Sequence, residues 1–268
     1  MTPTAISDQE FAQFQRFIFE AAGITMAPSK KALVSGRLSK RLQHHRVSSY
    51  GEYFKLLSSG QEPGETQCAV DLLTTNETYF FRENKHFDLL RTVAQEARER
   101  SGNLRVWSAA CSTGEEPYSI AMVLADVLEE RPWEITASDI SSRVLQKARF
   151  GHYPMERTGN IPHSYLQRFC LKGLDKYAGT LLVQRPLRER VQFMEMNLNA
   201  PLPKVGSFDV IFLRNVLIYF SADTKRQVVA RVVQQLKPGG YLFIGHSESL
   251  NDINSDVAMV APSIYRKP

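Results

Sequence analysis

The strongest constraint on the fold is an alternation of strand and helix signals that starts at Leu104. Runs at Leu104 to Ala109, Glu134 to Ser138, Phe208 to Leu213 and Tyr241 to Gly245 read as strands. Between them, Pro117 to Glu129, Ser141 to Phe150 and Ala222 to Leu236 read as helices, the first with a proline in its opening turn. Strands that alternate with helices assemble into an α/β fold, a mainly parallel sheet with helices on both faces. One stretch departs from this rule. Gly151 to about Arg190 holds glycine, proline and short mixed segments, with one strand at Leu181-Leu182-Val183, and reads as a small inserted β-subdomain (151–190).

The first 74 residues carry helical signals and no strand pattern. Ser7-Asp8-Gln9-Glu10 has capping-box spacing and is followed by Phe11, Phe14, Ile18 and Phe19 on a helical period. Ala22-Gly23 ends that helix. Ser29 is placed to cap a second helix that runs to about His45, and shorter helices fit Tyr50 to Ser58 and Glu65 to Leu73. Thr74-Thr75-Asn76-Glu77-Thr78 is polar and β-branched, so 75–83 reads as a linker. A helix from Asn84 to about Arg100 opens the larger domain, 84–268.

With 43% apolar residues in 268, the chain can bury a sizeable core, which excludes disorder for most of it. Asp8, Glu10 and Glu20 exclude a signal peptide from the first 25 residues. Val210 to Phe220 is the most apolar later stretch, but Arg214 and Asn215 break it and it is too short to span a bilayer. Three scattered cysteines without a CxxC pair fit a reducing cytosol and predict neither a disulfide framework nor a metal site. Net charge is +5, and it is local. Pro28 to Ser49 holds six basic residues and no acid; without them, 27 basic residues face 28 acidic ones. That segment is expected to meet an acidic partner. Lys30, Arg37 and Arg41 fall within a ~40° stripe on a helix, with Lys40 in the same block.

Open parallel sheets bind ligands beyond the carboxyl ends of their strands, where the strand order reverses. Ala110-Cys111-Ser112-Thr113-Gly114-Glu115-Glu116-Pro117 follows the first strand, and its small residues allow close approach of backbone to a ligand. Asp139 follows the second and suits two ribose hydroxyls. An aspartate there often serves as a helix cap, but Ser141 is placed for that duty. Arg214-Asn215 follows the Phe208 to Leu213 strand, then Ile218-Tyr219-Phe220. Neither G-x-G-x-x-G nor a phosphate-binding loop is present, and Glu115 and Glu116 would repel a pyrophosphate. They attract cations instead. S-adenosylmethionine, with a sulfonium, an α-ammonium and a ribose, fits better than NAD or ATP.

Four segments resemble the CheR-type chemotaxis methyltransferases: Thr75-Asn76-Glu77-Thr78-Tyr79-Phe80-Phe81-Arg82, Trp107 to Ser119, Phe212 to Phe220, and Leu236-Lys237-Pro238-Gly239-Gly240-Tyr241-Leu242. The resemblance covers nearly the whole chain. It implies a class I methyltransferase, Rossmann-like sheet with an all-helical N-terminal domain and an inserted β-subdomain. It implies that Asn76, Thr78 and Arg82 fold over the cofactor and that Glu116, rather than Glu115, meets its methionine end. Asp139 would meet the ribose, Asn197-Leu198 would flank the adenine, and Gly114, Arg214 and Asn215 would line the pocket. Arg82 and Tyr219 would be the catalytic pair nearest the methyl group, and His246 is read as structural. The implied reaction methylates glutamate side chains of chemoreceptors in the cytoplasm, yielding methyl esters and S-adenosylhomocysteine. Lys30, Arg37, Lys40 and Arg41 would dock on the acidic receptor helices. In some members of the family the β-subdomain grips a receptor C-terminal peptide by strand addition. A monomer is expected, with neither nucleic acid nor membrane insertion. Two rival functions fit the same fold. A nucleic-acid methyltransferase would place an Asn/Asp-Pro-Pro-aromatic motif where Arg214-Asn215-Val216-Leu217 stands, and the basic helix lacks interleaved aromatics. A non-catalytic cofactor-binding module would show no turnover.

Overall fold

Parallel pairing of short apolar strands builds the sheet that the alternation demands. The computed structural model describes residues 5–100, 102–251, 253 and 256–268. They form two units, one running to Thr75 together with Tyr219–Thr224, the other comprising Asn76–Ile218 and Lys225–Pro268.

In the second unit, α5 (Lys85–Glu99) leads into β1 (Leu104–Ser108), α6 (Glu115–Leu128), β2 (Trp133–Asp139) and α7 (Ser142–Phe150). The inserted segment contributes β3 (His152–Pro154), α8 (His163–Phe169), β4 (Cys170–Lys172), β5 (Thr180–Val183) and the single turn α9 (Arg185–Arg188). The chain then returns through β6 (Val191–Glu195), β7 (Phe208–Leu213), α10 (Ala222–Gln234), β8 (Leu236–Ile244), β9 (Ala258–Ala261) and β10 (Ile264–Arg266). The main sheet has the order β6-β2-β1-β7-β8-β10-β9, and the strand order reverses between β1 and β7. β1 pairs in parallel with β2 and with β7, Val106 opposing both Ile135 and Val210. β10 returns antiparallel to β8. Val106, Trp107, Ile135, Val210, Phe212 and Phe243 are fully buried, as expected of strands covered on both faces. The insertion is an antiparallel sheet, β3-β5-β4, with β4 at one edge.

Several boundaries moved, for local reasons. α6 starts at Glu115, two residues early, because Gly114 takes φ 97° and closes the preceding loop. The expected helix to Leu236 stops at Gln234, and Leu236 already begins β8. Pro238 disfavours a helical Lys237, and Gly239 at φ 75° accompanies a register irregularity against β7. β3, β4, β6, β9 and β10 had no recognised signal, being three to five residues long.

The first unit contains α1 (Asp8–Ala22), α2 (Lys31–His45), α3 (Tyr50–Ser59) and α4 (Glu65–Leu73). The capping box of α1 forms: Ser7 Oγ accepts the Glu10 N–H at 3.2 Å and Glu10 Oε2 accepts the Ser7 N–H at 2.8 Å. Ser29 does not cap α2. It lies within a 3₁₀ turn, Pro28–Lys30, in which Pro28 sets the backbone, and α2 follows without a side-chain cap. Phe14 is the core anchor, with its ring 5.6, 6.2 and 6.5 Å from Phe54, Tyr53 and Tyr50. Among the described residues, no helix is long and apolar enough to cross a membrane.

Candidate active site at the carboxyl ends of the strands

The loops after β1, β2 and β6 are tied to one another by backbone groups. Ala109 N–H donates to Phe212 O and Cys111 N–H to Ser138 O, each at 2.8 Å. Asp139, at the end of β2, is 7% exposed. Its Oδ2 accepts the Ser112 N–H at 2.8 Å and its Oδ1 the Ser141 N–H at 2.9 Å, while its carbonyl accepts Met196 N–H. These bonds set the direction of the carboxylate. Ser141 Oγ accepts the Val144 N–H and so caps α7, the duty expected of it. Beyond β6, Asn197 Oδ1 accepts Asn199 N–H at 2.9 Å and the buried Leu198 offers its carbonyl to Arg231 at 3.0 and 3.2 Å.

The two glutamates that open α6 have different surroundings. Glu115 is fully buried, bonded to Thr113 Oγ1 at 2.6 Å and paired with Arg157 at 2.9 Å. Burial pushes its carboxyl up. Glu116 Oε1 accepts the Ser108 hydroxyl at 2.7 Å and Oε2 accepts Arg214 Nη1 at 2.9 Å, and its side chain remains 12% exposed. Burial raises its pKa while Arg214 opposes the rise. Gly114 is also required by packing. A Cβ there would meet Tyr153 Oη at 2.8 Å and Ala148 Cβ at 2.9 Å, so the space its missing side chain leaves is filled by protein.

Arg214, 4% exposed, is the hub. Nη1 holds Glu116, and Nη2 donates to Glu83 Oε2 at 3.0 Å and to the Arg82 carbonyl. Burial raises the Glu83 pKa, but Arg214 and the His246 N–H more than offset this and leave it below its ordinary value. Asn215 takes φ 57°; its N–H donates to Glu248 Oε2 at 2.9 Å and its Nδ2 to Glu83 Oε1 at 3.4 Å. Glu248 also accepts Gly245 N–H at 2.6 Å and Ile218 N–H at 3.3 Å, joining the tips of β7 and β8. A Cβ at Gly245 would stand 2.4 Å from Asn215 Nδ2, so a larger residue there would displace this amide.

The linker enters the same cluster. Asn76 O accepts the Ser112 hydroxyl at 2.9 Å and Thr78 O accepts Arg157 Nη2 at 2.9 Å. Arg82 Nη1 donates to Glu77 O at 3.0 Å, and its guanidinium lies 5.5 Å from the Tyr79 ring centroid. Phe81 and Glu83, on either side, take φ 54° and 60°. Such conformations cost on the order of 1–3 kcal/mol each and persist where neighbours over-determine them. His86 is fully buried, stacked on Phe243, and burial lowers its pKa to about 3, so it is neutral. Glu83, His86 and His246 each bring one potential ligand atom within 4.8 Å of the others, and Arg214 already places a cation on Glu83.

Asn76, Thr78, Arg82, Gly114, Glu116, Asp139, Asn197, Leu198, Arg214 and Asn215 thus lie on the linker, at the start of α6 or at strand ends of one sheet. Tyr219 belongs to the other unit, where its carbonyl accepts Thr25 N–H at 2.8 Å and Phe220 bridges to Ile24. Glu83, Ser108, Arg157 and Glu248 were not singled out from the sequence. Glu83 and Ser108 lie beside or within recognised motifs, while Arg157 and Glu248 carried no local signal.

The basic block of the first unit divides by its partners. Arg37 donates to Leu73 O at 3.3 Å and Thr74 O at 2.8 Å. Arg41 pairs with Glu65, Nε to Oε1 at 2.9 Å, and Glu65 also accepts Tyr53 Oη at 2.6 Å. Both arginines are committed to internal contacts, leaving Lys30 and Lys40 as the exposed cations of the four.

Residues 9–74 match the family model of the CheR methyltransferase all-alpha domain, and residues 76–265 that of the CheR methyltransferase SAM-binding domain. A chemotaxis protein methyltransferase of Escherichia coli strain K12 is 44% identical over 264 residues, covering 97% of this chain and 91% of that protein. Chemotaxis protein methyltransferase 2 of Pseudomonas aeruginosa is 44% identical over 260 residues, covering 96% and 92%. The chain belongs to the CheR methyltransferase family and is an S-adenosylmethionine-dependent methyltransferase.

Proposed function

We propose that this enzyme methylates glutamate side-chain carboxylates on the cytoplasmic domains of chemoreceptors, forming methyl esters that adjust chemotactic signalling. The observation that carries the reading is the convergence of Glu116, Asp139 and the Arg82 backbone on one set of strand ends, with Arg214 joining Glu116 to Arg82.

S-adenosylmethionine, when bound, supplies an electrophilic methyl group on sulfur. Glu116 would hold the α-ammonium, being the less enclosed of the two glutamates. Asp139, at the end of β2, would take the ribose hydroxyls. Asn197 and Leu198 would flank the adenine, while Asn76, Thr78 and Asn215 close the pocket. The accepting glutamate needs no general base, because a free glutamate has a pKa of ~4.3 and is ionised at neutral pH. The protein's task is alignment, worth several kcal/mol. Arg82 would orient the carboxylate by a charge-assisted bond, on one side so that the nucleophile is not quenched. Its contacts are a backbone carbonyl and an aromatic face, so among the described residues its guanidinium carries no carboxylate pair that a substrate must displace.

The β-subdomain offers a second contact. β4 is an edge strand, and Leu171, Leu174 and Tyr177 beside it are 52%, 71% and 53% exposed. A receptor C-terminal peptide added as a fourth strand would pair that edge and cover those side chains.

The test supplies methyl-labelled cofactor and receptor-bearing membranes to the purified enzyme. Label released as methanol by mild base is expected, as from a carboxyl ester. Base-stable label, or label on nucleic acid, would overturn the reading.

A further inference from the structure

We propose that Glu83 is a positioning residue: through Arg214, its carboxylate holds the backbone that presents Arg82. The proposal rests on the role given to Arg82 above, and its test separates the two.

Arg82 is carried between two non-glycine residues in the left-handed region, Phe81 at φ 54° and Glu83 at φ 60°. A pair of such kinks needs an anchor on each side. On the Phe81 side the anchor is apolar and backbone-based. Phe81 is buried against Phe87 and Tyr165, and its N–H donates to Ser119 Oγ at 3.0 Å. On the other side the anchor is the Glu83 carboxylate. Oε2 accepts Arg214 Nη2 from the end of β7, and Oε1 accepts the His246 N–H at 3.1 Å, past the end of β8, and Asn215 Nδ2. The same Arg214 nitrogen donates to the Arg82 carbonyl. Carboxylate, guanidinium and the Arg82 peptide therefore form one hydrogen-bonded unit fixed to two strand ends.

The Glu83 carboxylate cannot easily serve the substrate itself. Its side chain is 11% exposed and both oxygens already receive donors. Its effect must pass through what it holds. Without it, Arg214 is drawn toward Glu116 alone, the Arg82 carbonyl loses its donor, and the kink relaxes toward extended backbone. That moves the Arg82 side chain while the Glu116 and Asp139 contacts of the cofactor pocket stay in place.

The experiment uses full-length enzyme in four forms: wild type, Arg82→Ala, Glu83→Gln and the double variant. Glu83→Gln keeps the size of the side chain, and Glu83→Asp serves in its place if the melting curve shows it unfolded. The measurements are kcat at saturating cofactor and receptor, and S-adenosylhomocysteine affinity by calorimetry. Glu83→Gln is expected to lower kcat by about 10- to 100-fold, the scale of an ångström-sized misplacement, with affinity changed no more than in Arg82→Ala. The double variant is expected to be no slower than Arg82→Ala, since two changes acting through one group do not add. Wild-type kcat in folded Glu83→Gln overturns the proposal, as does a double variant slower than Arg82→Ala by the full Glu83 factor. Wild-type kcat in Arg82→Ala instead removes the Arg82 reading, and the proposal falls with it.

Discussion

Arg214 Nη1 lies 2.9 Å from Glu116 Oε2, and the same buried guanidinium holds a second carboxylate, Glu83, below its ordinary pKa. Glu83 shares the same guanidinium, and Glu115 is next in sequence but turned to Arg157. Replacing Arg214 by Met keeps the length and removes the charge. Glu83 and Glu116 are then left buried and uncompensated, which is expected to destabilise the fold by about 3–5 kcal/mol. Urea unfolding at neutral pH measures this. Arg214→Lys keeps the charge but not the fork, and should fall between the two. A loss under about 1 kcal/mol in Arg214→Met would show that the network is not the hub described.

Asp139 holds two backbone N–H groups with its two oxygens. Asparagine keeps one acceptor and turns a donor toward the other N–H, a mismatch costing about 1–3 kcal/mol. Asp139→Asn is therefore expected to loosen the Ser112 loop and to weaken S-adenosylhomocysteine binding by about tenfold or more. Calorimetry on the folded variant checks this, and unchanged affinity would separate Asp139 from the ribose.

Much of this arrangement was legible before the fold was known, and the limits are physical. The strand runs at Leu104, Phe208 and Tyr241 are long and apolar enough to announce themselves, and the capping box at Ser7 is a local code that the structure reproduces. Glu116 and Asp139 could be placed at strand ends because a parallel sheet puts its loops on one side. Their partners could not. Arg214 bonds residues 98 and 131 positions away, and nothing local in Glu83 says that its carboxylate meets β7 and β8. The packing duty of Gly114 was hidden for the same reason: nothing local shows that a Cβ there would meet Ala148, 34 residues on. Arg41 lies on the stripe that periodicity predicts, yet Glu65, 24 residues on, takes it out of solution.

That pairing has a pH signature. Burial raises the Glu65 pKa, but Arg41, Tyr53 and His45 outweigh it and bring it from an ordinary 4.5 to about 2. The unfolded chain therefore binds this proton at higher pH than the folded one. The contribution is intact above pH 4.5 and is lost as pH falls from there toward about 2. Glu65→Gln should lower stability at pH 7 by about 2–3 kcal/mol, and the difference from wild type should shrink through that window. Urea midpoints at pH 7, 4 and 3 test it; a difference that stays constant would remove Glu65 as the cause.

The receptor-facing charge is best tested at the lysines. Lys30 and Lys40 are exposed and their ammonium groups are free to meet an acidic helix, whereas reversing Arg41 would set a second carboxylate beside Glu65 and damage the fold. Rim charges act on encounter rate more than on the bound complex, and their effect fades within a Debye length of about 10 Å at 0.1 M salt. The double variant Lys30→Glu with Lys40→Glu is therefore expected to lower kcat/KM for receptor membranes by about 3- to 10-fold at low salt. The loss should narrow as salt rises, with S-adenosylhomocysteine affinity and melting temperature unchanged. Initial rates across a salt series measure it. Equal rates at low salt would mean that the basic segment serves the first unit's own packing, through Arg37 and Arg41, and that receptor docking uses another surface.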